Sequence, residues 1–93
     1  MESKILKVVR QGEAFDVQSQ KAESGKTRKC TILLREMGGG KFENEYACSM
    51  LGNLAECRFK EGDVVVAAIR QSAREYQGQL YQECLCTDIV KIN

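Results

Sequence analysis

The chain of 93 residues has no histidine, no tryptophan and only six aromatic residues, three Phe and three Tyr. Without histidine it lacks the side chain best suited to acid–base work near neutral pH and to metal ligation beside cysteine. No paired-carboxylate signature and no cysteine next to a recognisable base takes its place. Cys57, beside Arg58, comes nearest to an activated thiol, and a buried helix position accounts for it. The chain is therefore not expected to be an enzyme, and neither a metal nor another cofactor is expected. No apolar run approaches the ~20 residues needed to cross a bilayer. The start, Met1-Glu2-Ser3-Lys4-Ile5-Leu6, lacks the apolar core of a signal peptide. A cytoplasmic location without membrane contact is the expectation.

Cysteine is present, but in an odd number: Cys30, Cys48, Cys57, Cys84 and Cys86. That count fits a reducing compartment better than a disulfide framework. Cys84-x-Cys86 is not a zinc knuckle; in a strand, residues two apart enter the same face. All five are expected to behave as small buried hydrophobes.

Hydrophobic residues make up 43% and charged residues 29%, as in ordinary soluble domains, and the length suits one domain over residues 1–93. The net charge of +1 is uninformative, but its distribution is not. Residues 1–41 hold nine Lys/Arg against five Asp/Glu, and residues 42–93 hold five against eight. The excess gathers at Lys21, Lys26, Arg28, Lys29, Arg35 and Lys41. A solvated loop and a phosphate-tracking patch both explain such a cluster.

Residues 4–19 read as one long strand bent near Gly12, followed by a polar loop over 18–26. A second strand spans 27–37, where Cys30, Ile32 and Leu34 alternate with Lys29, Thr31, Leu33 and Arg35. Gly38-Gly39-Gly40 turns the chain. It is not a phosphate-binding loop, because Lys41-Phe42 leads into a strand and not into a helix. The third strand, 42–51, puts Tyr46, Cys48 and Met50 on one face. Gly52 breaks it, Asn53 is suited to cap a short helix over 54–58, and Leu54 and Phe59 are placed to plug the barrel end. A fourth strand over 63–75 has Val65, Ala67 and Ile69 on its core face. Tyr76-Gln77-Gly78-Gln79 forms a hairpin turn, and a fifth strand covers 80–92. The order β-β-β-α-β-β predicts an all-β domain with small α content. It fits a five-stranded oligonucleotide/oligosaccharide-binding (OB) barrel with one short helix between its third and fourth strands.

Ser49-Met50-Leu51-Gly52-Asn53-Leu54-Ala55-Glu56 resembles the strand-to-helix segment of bacterial single-stranded DNA-binding proteins, and Lys60-Glu61-Gly62-Asp63-Val64-Val65-Val66 resembles the turn and strand that follow it. Ser72-Ala73-Arg74-Glu75-Tyr76-Gln77-Gly78-Gln79-Leu80-Tyr81 is similar to a hairpin of a small uncharacterised Bacteroidetes OB-fold family. The resemblance covers residues 47–92, and residues 1–40 by strand order alone. It departs from that family at Leu51 and Leu80, where tryptophan is frequent, and the 93 residues hold no long acidic tail of the single-strand binders.

The resemblance implies single-stranded DNA (or RNA) binding across the barrel face, the first loop and the last hairpin. Lys26, Arg28, Lys29, Lys41, Arg70 and Arg74 would contact phosphates, and Tyr76 and Tyr81 would stack on bases. Phe15, Tyr46 and Phe59 are expected in the core, leaving Phe42 as a further candidate stacker. The alternative is a protein-interaction or assembly module on the same barrel, forming a homo-dimer or tetramer without binding nucleic acid. On that reading Tyr76 and Tyr81 serve to pin the hairpin.

Overall fold

Alternating apolar positions and β-favouring residues drive most of this backbone into strands. The structure is a computed structural model that describes residues 2–18, 25–37 and 44–93. The strands are β1 (Glu2–Gln11), β2 (Phe15–Gln18), β3 (Lys26–Glu36), β4 (Glu45–Leu51), β5 (Val64–Tyr76) and β6 (Gln79–Lys91), with one helix, α1 (Asn53–Glu56), between β4 and β5. The bent first strand of the sequence is β1 plus β2, broken at 12–14, where the Gly12 N–H donates to the Thr31 carbonyl at 2.8 Å.

The sheet runs β1-β5-β6-β4-β3-β2 and closes on itself through a β1–β3 pairing. The first half of β1 pairs antiparallel with β5, and the second half with β3 across a bulge between Val8 and Arg10. Counting β1 and β2 as one bent strand, this closed all-β sheet with a short helix before β5 has the element order expected of an OB barrel. Its parallel seam, β4 to β6, is a single ladder pair, Ser49 with Leu85.

Leu6, Val8, Cys30, Ile32, Leu34, Cys48, Met50, Val65, Ala67, Ile69, Cys86 and Ile89 point inward and are buried, each large side chain contributing about 1.5–3 kcal/mol. At one end α1 forms the plug, with Ala55 buried and Leu54 and Phe59 packed against the core. The Gln11 amide fixes it by donating to the Cys57 carbonyl (2.7 Å) and accepting from the Phe59 N–H (2.8 Å). At the other end Tyr46 donates its hydroxyl to Glu36 (3.1 Å), and Lys4 lies 3.7 Å from the same carboxylate.

Three expectations are corrected here. Asn53 is the first helical residue and not the cap. Gly52 is the cap, at φ 65° and ψ −130°, a conformation a side chain strongly disfavours, and its N–H donates to the Arg28 carbonyl at 2.9 Å. Cys57 is exposed, not buried: α1 has already ended, and its extended backbone turns the thiol outward. Phe15 is half exposed, not in the core, because its ladder partner is Lys29, and ladder partners share a face. Gly38-Gly39-Gly40, Lys41 and Phe42 lie outside the described residues.

Beyond Ile69 and Cys86 the strands β5 and β6 continue as a two-stranded arm, paired to Tyr76–Gln79 and exposed over 70–83. Its tip has Gln77 at φ 52° and Gly78 at φ 80°, the two positive values that a type I′ hairpin turn requires. Among the described residues no helix is long and apolar enough to cross a membrane.

Candidate functional site

The outer surface of the barrel carries a groove of about 480 Å³ where β4 and β6 part, lined by residues that include Lys29, Ala47, Ser49, Leu51, Arg70 and Leu85. Its floor follows from strand alternation. With Tyr46, Cys48 and Met50 facing in, Ala47, Ser49 and Leu51 must face out, and the first two are small. Ladder pairing then aligns Thr31, Ser49, Leu85 and Arg70 in one row across β3, β4, β6 and β5. A second row, two positions away, aligns Phe15, Lys29 and Leu51 across β2, β3 and β4.

A bulge in β6 carries this face onto the arm. The register shifts between Ala68 and Ile69, so that Ile69 pairs with Cys86 and leaves Thr87 as the extra residue. From there Arg70, Ser72, Arg74 and Tyr76 share the outer face with Leu85, Glu83, Tyr81 and Gln79. From the level of Lys29 to that of Tyr76 is about eight strand positions, or roughly 26 Å.

Of the residues singled out in the sequence, Lys29, Arg70, Arg74, Tyr76 and Tyr81 lie on this one face. Among the described residues neither Lys29 nor Arg70 is in an ion pair, and both line the groove together with Glu83. Arg74 is partly committed, its Nε lying 3.0 Å from Glu83 Oε1. Tyr76 (61% exposed) and Tyr81 (45% exposed) sit diagonally across the arm, and the Tyr81 hydroxyl donates to Gln79 at 2.8 Å.

Lys26 and Arg28 alternate out of phase with Lys29 and leave the groove. Arg28 instead ties the barrel end together: Nη1 lies 3.1 Å from Asp16, Nε 3.9 Å from Glu56, and Nη2 donates to the Ala14 carbonyl at 3.3 Å. Lys41 lies outside the described residues. Phe15, Ala47, Ser49, Leu51, Glu83 and Leu85 belong to the face but were not foreseen as site residues. The available signal was the outward phase of β4, where small side chains alternate with buried large ones.

The arrangement has cations spaced along an open channel, exposed rings at both ends and a floor that mixes the small Ala47 and Ser49 with Leu51 and Leu85. It presents positive charge and ring faces along one side of the molecule. Among the described residues no group of three or more His, Cys, Asp or Glu is placed to hold a metal ion. Comparison with protein-family models, with curated proteins and with solved structures finds no match to this chain.

Proposed function

We propose that this protein is a non-enzymatic, cytoplasmic module that binds single-stranded nucleic acid, with DNA as the first candidate, along the outer groove and the β5–β6 arm. The observation that carries this reading is the shared face of Phe15, Lys29, Arg70, Arg74, Tyr81 and Tyr76, with rings at its ends and cations between them. Lys29, Arg70 and Arg74 meet phosphates. Phe15, Tyr81 and Tyr76 offer faces on which bases stack, at roughly 1–3 kcal/mol per base. A face of about 26 Å accommodates a short run of nucleotides, within the ~4–16 known for OB barrels. The likeness of residues 49–66 to the single-stranded DNA-binding proteins of bacteria supports the same reading. Fluorescence anisotropy of a labelled oligo-dT, titrated with the protein at low salt, tests it. Phosphate-driven affinity is greatest there, so absence of binding under that condition rejects the proposal.

A second reading rests on a different observation. Ile5, Val66 and Val90 form an outward ladder row on the far side of the barrel, with Ile5 57% and Val90 55% exposed, and Leu80 on the arm is 78% exposed. These surfaces suit an assembly module. Light scattering that shows a stable dimer or tetramer, together with no oligonucleotide binding, selects it.

A further inference from the structure

Three of the five thiols crowd beneath the groove, and two of them touch. Cys48 Sγ and Cys84 Sγ are 2.9 Å apart. Each lies one residue before a member of the Ser49–Leu85 pair, the only ladder contact between β4 and β6. Their backbones therefore stand about one strand spacing apart, roughly 4.8 Å, inside the ~4.4–6.8 Å range over which a disulfide closes without backbone movement. Cys48 is buried, whereas Cys84 is half-buried, packed against the core and among the residues that line the groove, so Cys84 is the more accessible member of the pair. Cys86, two residues on, is buried and bonds the Asp88 carbonyl at 3.3 Å.

We propose that Cys48 and Cys84 form a reversible dithiol/disulfide pair that staples the arm to the barrel across the seam where β4 and β6 share one ladder pair. The oxidant is a low-molecular-weight disulfide. Cys84 gives its proton to solvent, and its thiolate attacks one sulfur of the small disulfide. That S–S bond breaks, one small thiolate leaves, and Cys84 is left in a mixed disulfide. Cys48 then loses its proton and attacks the Cys84 sulfur, expelling the second small thiolate, which takes up a proton as the first did. Two protein thiols are oxidised by two electrons, and one small disulfide is reduced to two thiols. Burial and the hydrogen bond with Cys84 hold the Cys48 thiol well above its ordinary range, so Cys48 waits as the resolving partner while Cys84 meets the reagent first. The staple closes a loop between positions 36 apart in sequence. It constrains the arm's base at the wall of the groove.

The test uses the whole chain carrying Cys57→Ser, which removes the exposed thiol. The protein is incubated with oxidised glutathione, free thiols are alkylated, and tryptic peptides are mapped by tandem mass spectrometry, whose fragment ions separate Cys84 from Cys86 within the peptide 75–91 that carries both. The expected product has lost two hydrogens, links the peptide of Cys48 to that of Cys84, and leaves Cys86 free for alkylation after unfolding. Its melting temperature is expected to rise by roughly 10 °C and to fall back on adding dithiothreitol. The link should persist in Cys86→Ser and vanish in Cys84→Ser. Glutathione retained on Cys84, a bond from Cys84 to Cys86 or Cys30, or disulfide-linked dimers as the main product would overturn the proposal. The mapping of the Cys57→Ser protein is decisive even if a further cysteine variant fails to fold.

Discussion

Arg74 and Glu83 meet diagonally across the arm, Nε to Oε1 at 3.0 Å, on the face that also carries Arg70, Tyr81 and Tyr76. Both side chains are at least half exposed, so the pair contributes little to stability. Its main effect is on charge: Glu83 cancels one of the arm's two cations. Glu83→Gln should therefore tighten oligo-dT binding about three- to tenfold at low salt, with a melting temperature close to that of the parent. Anisotropy titration checks this, and weaker binding in Glu83→Gln contradicts the site.

Lys29 and Arg70 face the groove without ion-pair partners among the described residues, whereas Arg28 is held by Asp16 and Glu56. Lys29→Ala and Arg70→Ala should each weaken single-strand binding and reduce the slope of log K against log salt by about 0.7. Arg28→Ala should leave that slope unchanged and instead lower stability modestly, by about 0.5–1 kcal/mol. Equal effects of all three on affinity would mean that the groove is not the binding face.

Phe15 and Tyr81 are exposed rings at opposite ends of one face, while Met50 is wholly buried. Phe15→Ala and Tyr81→Ala are expected to cost roughly 1–3 kcal/mol of binding each and to leave folding nearly intact. Met50→Ala should do the reverse, costing about 2–5 kcal/mol in urea unfolding. A Phe15→Ala variant that binds like its parent removes Phe15 from the platform.

Gln77 is the one non-glycine described residue with positive φ, at 52°, in the first central position of the arm's turn. Asparagine tolerates that conformation better, and Asn-Gly is the preferred type I′ pair. Gln77→Asn should stabilise the fold by about 0.5 kcal/mol, read as a small upward shift in the urea midpoint without a change in m-value.

Glu36 is acted on in two directions. Burial raises its carboxyl, but hydrogen bonds from Tyr46 and Asn44 and the charge of Lys4 outweigh that and hold it below its ordinary value. A carboxyl lowered in the folded state adds stability that is complete above its unfolded pKa and is lost as pH falls through the folded one. Glu36→Gln should therefore flatten the acid side of the stability profile below about pH 5. It should also lower the Tyr46 hydroxyl, which burial and Glu36 hold above its ordinary range. Urea unfolding between acid and neutral pH and ultraviolet titration of tyrosine check the two effects.

Much of the barrel was legible from alternation. Cys30-Ile32-Leu34, Tyr46-Cys48-Met50 and Val65-Ala67-Ile69 all face inward as their period of two dictates, and one apolar core leaves little freedom in how such strands are phased. Gly52 marked the break into α1, and Gln77-Gly78 marked the tip of the arm, because few residues tolerate positive φ. The cap was misplaced by one residue, since Asn53 has the side chain of a cap but only glycine has the backbone freedom Gly52 needs.

The sequence by itself determined the strand order, the inward faces and the outward charge of Lys29 and Arg70, because side-chain alternation is a local property of the backbone. Tertiary structure alone decided which outward residues meet. Phe15 faces out because β2 pairs with β3 so that it stands opposite Lys29. Tyr81 stands opposite Arg74 because one extra residue at Thr87 shifts β6 by one position. Without that bulge the whole outer face of β6 would turn to the other side of the arm. Cys48 touches Cys84 because β4 and β6 meet beside them in a single parallel pair, a contact between segments 36 positions apart that no local pattern encodes.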